Sequence, residues 1–193
     1  MTSYRSNHFN CCFDGAAATI FHQEDIIAFL RDGVSHSNLK LQSVEADLQD
    51  QRLVTLLSAV ALLYFRVTGP YWKLLKSDVP YTRFHIYVQK MATLFAHWQT
   101  DPSGLLDPAF VGIFDGEFEV DCPIMLERVL STACHETPLV LVCFKAIFKE
   151  LLAVTRQLAD FLVDGKFGHE PTEEDKTILS HCPLTNLIGE NVL

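Results

Sequence analysis

Six bulky side chains, Tyr81, Phe84, Val88, Met91, Phe95 and Trp98, recur at spacings of 3, 4, 3, 4 and 3. With 3.6 residues per helical turn, that rhythm gathers all six on one side of a helix, whereas a strand would divide them between two faces. So wide an apolar face needs a cover, and the spacing predicts a helix over about 80–98 packed on a second helix. The second helix is legible in "PLVLVCFKAIFKELLAVTRQLADFLVDG". There Val140, Phe144, Ile147, Leu151, Val154, Leu158 and Phe161 stand 3 or 4 apart, and Gly165 occupies the place of a left-handed C-terminal cap.

A third helix is predicted in "SVEADLQDQRLVTLLSAVALLYFRV", from Ser43 onward. Glu45, Asp47 and Asp50 suit the positive end of its dipole. The remainder is apolar nearly all round, as expected of a central helix enclosed on every side. Thr68-Gly69-Pro70 should break it, with Thr68 capping a short helix that begins near Pro70 and sets Tyr71, Leu74 and Leu75 on one side. The longest apolar stretch, Leu53 to Phe65, is interrupted by Thr55 and Ser58. It falls short of the ~20 residues that cross a bilayer, so it reads as a core helix with no membrane partner.

Residues 99–123 carry three Pro and three Gly and read as mostly loop, with strand character only at 118–120. A helix is expected over 124–134, and Thr172 with Asp175 forms a capping-box start for a last short helix. The organisation expected is a poorly patterned N-terminal segment at 1–22, a helical bundle at 23–180, and a turn opening a truncated helix at 181–193. The fold class is all-α, an irregular helical bundle with a long, partly irregular connector near 100–122.

Composition narrows what such a bundle does. A chain of 193 residues holds one substantial core, and 49% hydrophobic residues, 14 of them Phe, argue against general disorder. A net charge of −9 argues against free-standing contact with a phosphate backbone, leaving DNA as a partner only in the context of a longer chain. Charged residues amount to only 20%, which predicts apolar surface available to self or to another protein. No secretory pattern opens the sequence, and six Cys at 11, 12, 122, 134, 143 and 182 form no disulfide framework, so reduced thiols in an intracellular setting are expected.

Three sets of residues have the elements of chemistry. His8, Cys11 and Cys12, then Cys134–His135, then His181–Cys182, are the metal-ligating types, but no C-x-x-C occurs and adjacent residues point apart. Asp115, Glu117, Glu119 and Asp121 alternate, and in an extended segment they would project from one side toward a hard cation. The spacing is not that of a calcium loop, and a solvated acidic loop is the plainer reading. Nucleophile and phosphate-loop motifs are absent, and Cys134 does not face His135 if both lie on a helix. No metal, cofactor or small-molecule substrate is inferred.

The third set is "CPLTNLIGEN". It is a turn in which Thr185 or Asn186 suits a helix cap and Glu190 falls in the first turn, consistent with an ordinary helix start. Pro183, Thr185, Asn186, Gly189 and Glu190 also resemble the last catalytic segment of hAT-superfamily transposases, which carry an RNase H-like core and a long helical insertion. The resemblance implies that residues 23–180 correspond to the insertion and Glu190 to the last of three catalytic carboxylates. Where the family has Ser-Glu-Arg, this sequence reads Gly189-Glu190-Asn191. Such chemistry uses several carboxylates around two divalent ions about 4 Å apart, so one acid implies a non-catalytic relative acting through protein contacts, nuclear in location. The alternative is a stand-alone cytoplasmic helical interaction or dimerisation module unrelated to transposons.

Overall fold

The computed structural model describes residues 10–32, 38–180 and 182, and among these there is no strand. The elements are α1 (Cys11–Phe21), α2 (Gln23–Asp32), α3 (Leu39–Gln49), α4 (Gln51–Leu63), α5 (Gly69–Leu75), α6 (Phe84–Trp98), α7 (Pro123–Ala133), α8 (Thr137–Thr155) and α9 (Glu173–Leu179). The all-α architecture and the irregular connector are as expected.

The stripe on α6 is buried at Phe84, Val88, Met91, Phe95 and Trp98 and packs on α8. Phe148 of α8 stacks between Phe95 and Trp98, with ring centroids 5.5 and 5.0 Å away. Phe148 was outside the stripe read from sequence, whose Ile147 and Leu151 are only half-buried and whose Val154 is exposed. The buried line on α8 instead runs through Val140, Phe144, Phe148 and Thr155, and beyond it the helix tightens into a 3-10 turn over Arg156–Phe161, with Leu158 off helical geometry. Gly165 is not a left-handed cap either. It lies where a Cβ would collide with the backbone of Ala159 and Asp160, so it permits a close chain crossing.

The expected helix from Ser43 is two helices. Asp50 ends α3 in an extended conformation and caps α4, its carboxylate accepting from the N–H groups of Arg52 (2.8 Å) and Leu53 (3.1 Å). At the other end, Thr68-Gly69-Pro70 does not break the helix. A π turn over Tyr64–Thr68 carries α4 into α5, and Thr68 makes no capping bond. Gly69 is needed here, since a Cβ would lie 2.5 Å from both the Tyr64 carbonyl oxygen and Cγ2 of Val120. The resulting run, Gln51–Leu75, has a mean hydropathy of 1.6 in its most apolar window and is long enough to cross a bilayer, but 72% of that window is buried against other helices.

The segment expected to lack pattern is partly core. α1 lies on α4 and α7 and buries Ala16, Ala17 and Ile20. The connector is anchored rather than loose: Leu105, Ile113 and Phe114 are buried, and Ile113 donates to the carbonyl of Arg66 in the π turn at 2.8 Å. The buried Arg66 guanidinium donates to the Asp107 carbonyl at 3.1 Å and lies 5.4 Å from the Phe110 ring centroid. On the far side, Gln89 of α6 donates to the carbonyls of Phe161 and Gly168, tying the 161–168 turn down. The capping box on α9 forms as expected, with Thr172 and Asp175 bonding reciprocally.

Candidate interaction groove

The sequence candidates do not converge. Glu190, with Pro183, Thr185, Asn186 and Gly189, lies outside the described residues, as do His8 and His181. Cys12, Cys134, His135 and Cys182 are exposed at separate places, and among the described residues no three His, Cys, Asp or Glu side chains gather as a metal site would require. The alternating acids of the connector do not converge on one point, and only two of their carboxylates have a hydrogen-bond or ion-pair partner among the described residues. Asp115 pairs with Lys90, Glu117 accepts from the Tyr87 hydroxyl at 2.9 Å, and the Glu119 carbonyl accepts from Lys73. The cause is backbone geometry: Gly112, Asp115 and Gly116 have positive φ, so the segment coils and its side chains fan out.

What does come together is apolar. α3 covers α4 incompletely, because Leu48 is the only buried residue of α3. Leu53, Leu56, Leu57 and Val60, on the side of α4 facing α3 and α8, are therefore exposed or half-buried, contrary to the expected enclosure of that helix on every side. With Leu48 and Cys143 they line a groove of about 430 Å³, and Asp47 stands at its edge. The positions 53, 56, 57 and 60 follow the i, i+3, i+4, i+7 rule by which one helix presents a face to another.

The groove is lined mainly by apolar side chains. Among the described lining residues the one nucleophilic group is the Cys143 thiol, and burial pushes that thiol's pKa up, away from the reactive thiolate. Asp47 carries the one charge among the described residues of the lining. The wall supplied by α3 is fastened by a few polar ties: Gln23 donates to the Leu48 carbonyl at 2.7 Å, and Arg31 of α2 pairs with Glu45 at 3.3 Å. An exposed pair of that kind contributes little, on the order of 0.2–1 kcal/mol, so the wall is held mainly by Leu48.

No family model matches the chain, and neither a curated protein nor a solved structure matches it.

Proposed function

We propose that this chain is a non-catalytic helical interaction module whose α3–α4–α8 groove receives an amphipathic helix from a partner protein. The observation that carries the reading is the half-exposed α4 stripe, Leu53, Leu56, Leu57 and Val60, on a helix otherwise packed by its neighbours. Apolar anchors at i, i+3 or i+4, and i+7 on an incoming helix fit such a stripe. Charge selects the occupant. The chain carries −9 and Asp47 stands at the rim, so a second copy is repelled and a helix with basic flanks is favoured.

The test is fluorescence anisotropy with a dye-labelled synthetic four-turn helix bearing Leu anchors and Lys flanks, beside the same peptide with Glu flanks. The basic peptide should bind saturably, the acidic one weakly, and Leu53→Asp should weaken binding roughly tenfold or more, ~1.4 kcal/mol. Equal binding of both peptides, or no effect of Leu53→Asp, refutes the reading.

A second reading, descent from an hAT-like transposase, rests on the resemblance carried by Pro183, Thr185, Asn186, Gly189 and Glu190 alone. It predicts that the coding sequence continues in frame past Leu193 into a Phe and a basic helix. Non-coding or unrelated sequence there removes it.

A further inference from the structure

A cavity of about 150 Å³ lies where the chain from Lys166 to Pro171 and α9 meet the short turn Tyr81–Arg83 ahead of α6. It shares no residue with the α3–α4–α8 groove. Tyr81, Phe167 and Leu179 give it an apolar side, all three half-buried, with the Tyr81 and Phe167 rings edge to face at 6.0 Å. Lys166 and His169, both exposed, form its rim.

Both walls are tied down within the chain itself. Gln89 of α6 donates to the carbonyls of Phe161 at 3.1 Å and Gly168 at 2.7 Å, and a Cβ at Gly168 would collide with the Leu162 carbonyl, so the turn is wound tightly against α6. Opposite it, the capping box fixes the first turn of α9, where Oδ2 of Asp175 accepts from the Thr172 N–H at 3.0 Å and the Thr172 hydroxyl at 2.7 Å. Walls held in this way lose little freedom when something binds between them.

The polar part of the lining is rich in donors that have no acceptor. The Lys166 ammonium, 5.0 Å from the Phe167 ring centroid, the His169 imidazole and the Thr82 hydroxyl donate to no acceptor among the described residues. Asp175, the one carboxylate among the described lining residues, is already engaged: its bonds to Thr172 hold its pKa below the usual carboxylate range, with His169 and Lys166 adding a smaller attraction. We propose that this cavity binds a small aromatic carboxylate of about benzoate size, its ring against Tyr81, Phe167 and Leu179 and its carboxylate on Lys166 and His169. An apolar cavity of about 150 Å³ holds benzene, so the ring fits and the carboxylate is left at the rim. There the ammonium supplies a charge-assisted bond, stronger than a neutral one. An aromatic amine would instead bring a second positive charge to Lys166, and a neutral arene would leave the donors as they are.

The test titrates sodium benzoate into the full chain at fixed ionic strength and follows the Tyr81 and Phe167 ring resonances and the Leu179 methyls, with benzylamine and acetate as the paired probes. Saturable shifts at these three residues are expected with benzoate, and weaker binding with either of the others. Lys166→Gln, at an exposed side chain that the fold does not need, should lower benzoate affinity roughly fivefold or more. Lys149→Gln, exposed on α8 and outside the lining, should leave it unchanged. Shifts that never saturate or that spread over the whole chain overturn the proposal. Benzylamine binding as tightly as benzoate does so too, as does acetate binding as tightly, and so does benzoate affinity that Lys166→Gln leaves intact or that Lys149→Gln lowers equally.

Discussion

Gly69 and Arg66 show how much of this fold depends on single side chains at the π turn. Adding one methyl at Gly69 places a carbon 2.5 Å from the Tyr64 carbonyl and from Val120, and neither backbone nor a packed valine yields easily. Gly69→Ala should therefore lower stability by about 1–3 kcal/mol, read as a fall in urea midpoint at unchanged slope. Wild-type stability in that variant would mean that the connector does not press on the turn. Arg66 acts from the other side. Burial pushes its pKa down, while Glu119 and Asp107 act in the opposite direction, and its guanidinium holds the connector through the Asp107 carbonyl. Arg66→Ala removes that bond and the packing on Phe110, and should cost on the order of 3 kcal/mol. Limited proteolysis should then cut first within 103–118. If cleavage starts elsewhere, Arg66 is not what fastens this segment.

At the scale of elements, legibility followed contrast. The α6 stripe could be read because large aromatic residues alternate with polar ones at helical spacing, and five of its six positions are buried. α1 was illegible because its buried face is Ala16, Ala17 and Ile20, small residues that leave little contrast with their neighbours. The division at Asp50 was written in the sequence, since an Asp before a new apolar run is an N-cap signal, but the acids at 45, 47 and 50 read equally well as one helix's first turn. Thr68-Gly69-Pro70 misled for a different reason. Local propensity favours a break there, and tertiary packing of Val120 and Ile113 on the turn overrides it. The groove was legible only as an excess of apolar residues, because which side of α4 stays uncovered depends on how α3 lies. Asp50→Ala tests the junction. Losing both cap bonds should cost about 1 kcal/mol, within a 0.5–2 range. It should also loosen α3 against Leu53, raising amide exchange at the start of α4. Unchanged exchange at Arg52 and Leu53 would show that the cap is dispensable.

At the scale of the whole molecule, α1, α3, α7 and α8 pack on one long apolar helix, Gln51–Leu75, and four tyrosines report on the integrity of the bundle. Tyr64 lies in the π turn, Tyr71 on α5, Tyr81 just before α6 and Tyr87 on it. Burial is the first cause raising the pKa of each, and Tyr64, beside Asp14, which hydrogen-bonds it, is pushed up to about 12. The neutral phenol is thus favoured in the folded chain relative to the unfolded one, where tyrosine ionises near about 10. The unfolded chain loses these protons first, so the contribution to stability is complete below about pH 10 and is lost as pH climbs toward the folded values. Urea midpoints should hold level to about pH 9 and then fall steadily. Tyrosinate absorbance should lag behind that of free tyrosine until helical circular dichroism collapses, after which both change together. Tyr64→Phe removes the largest of the four shifts, so its urea midpoint should fall less steeply over the same interval. All five tyrosines of the chain ionising at the ordinary pKa while the helical signal persists would mean that these four rings are open to solvent and that the bundle around the central helix is looser than this packing.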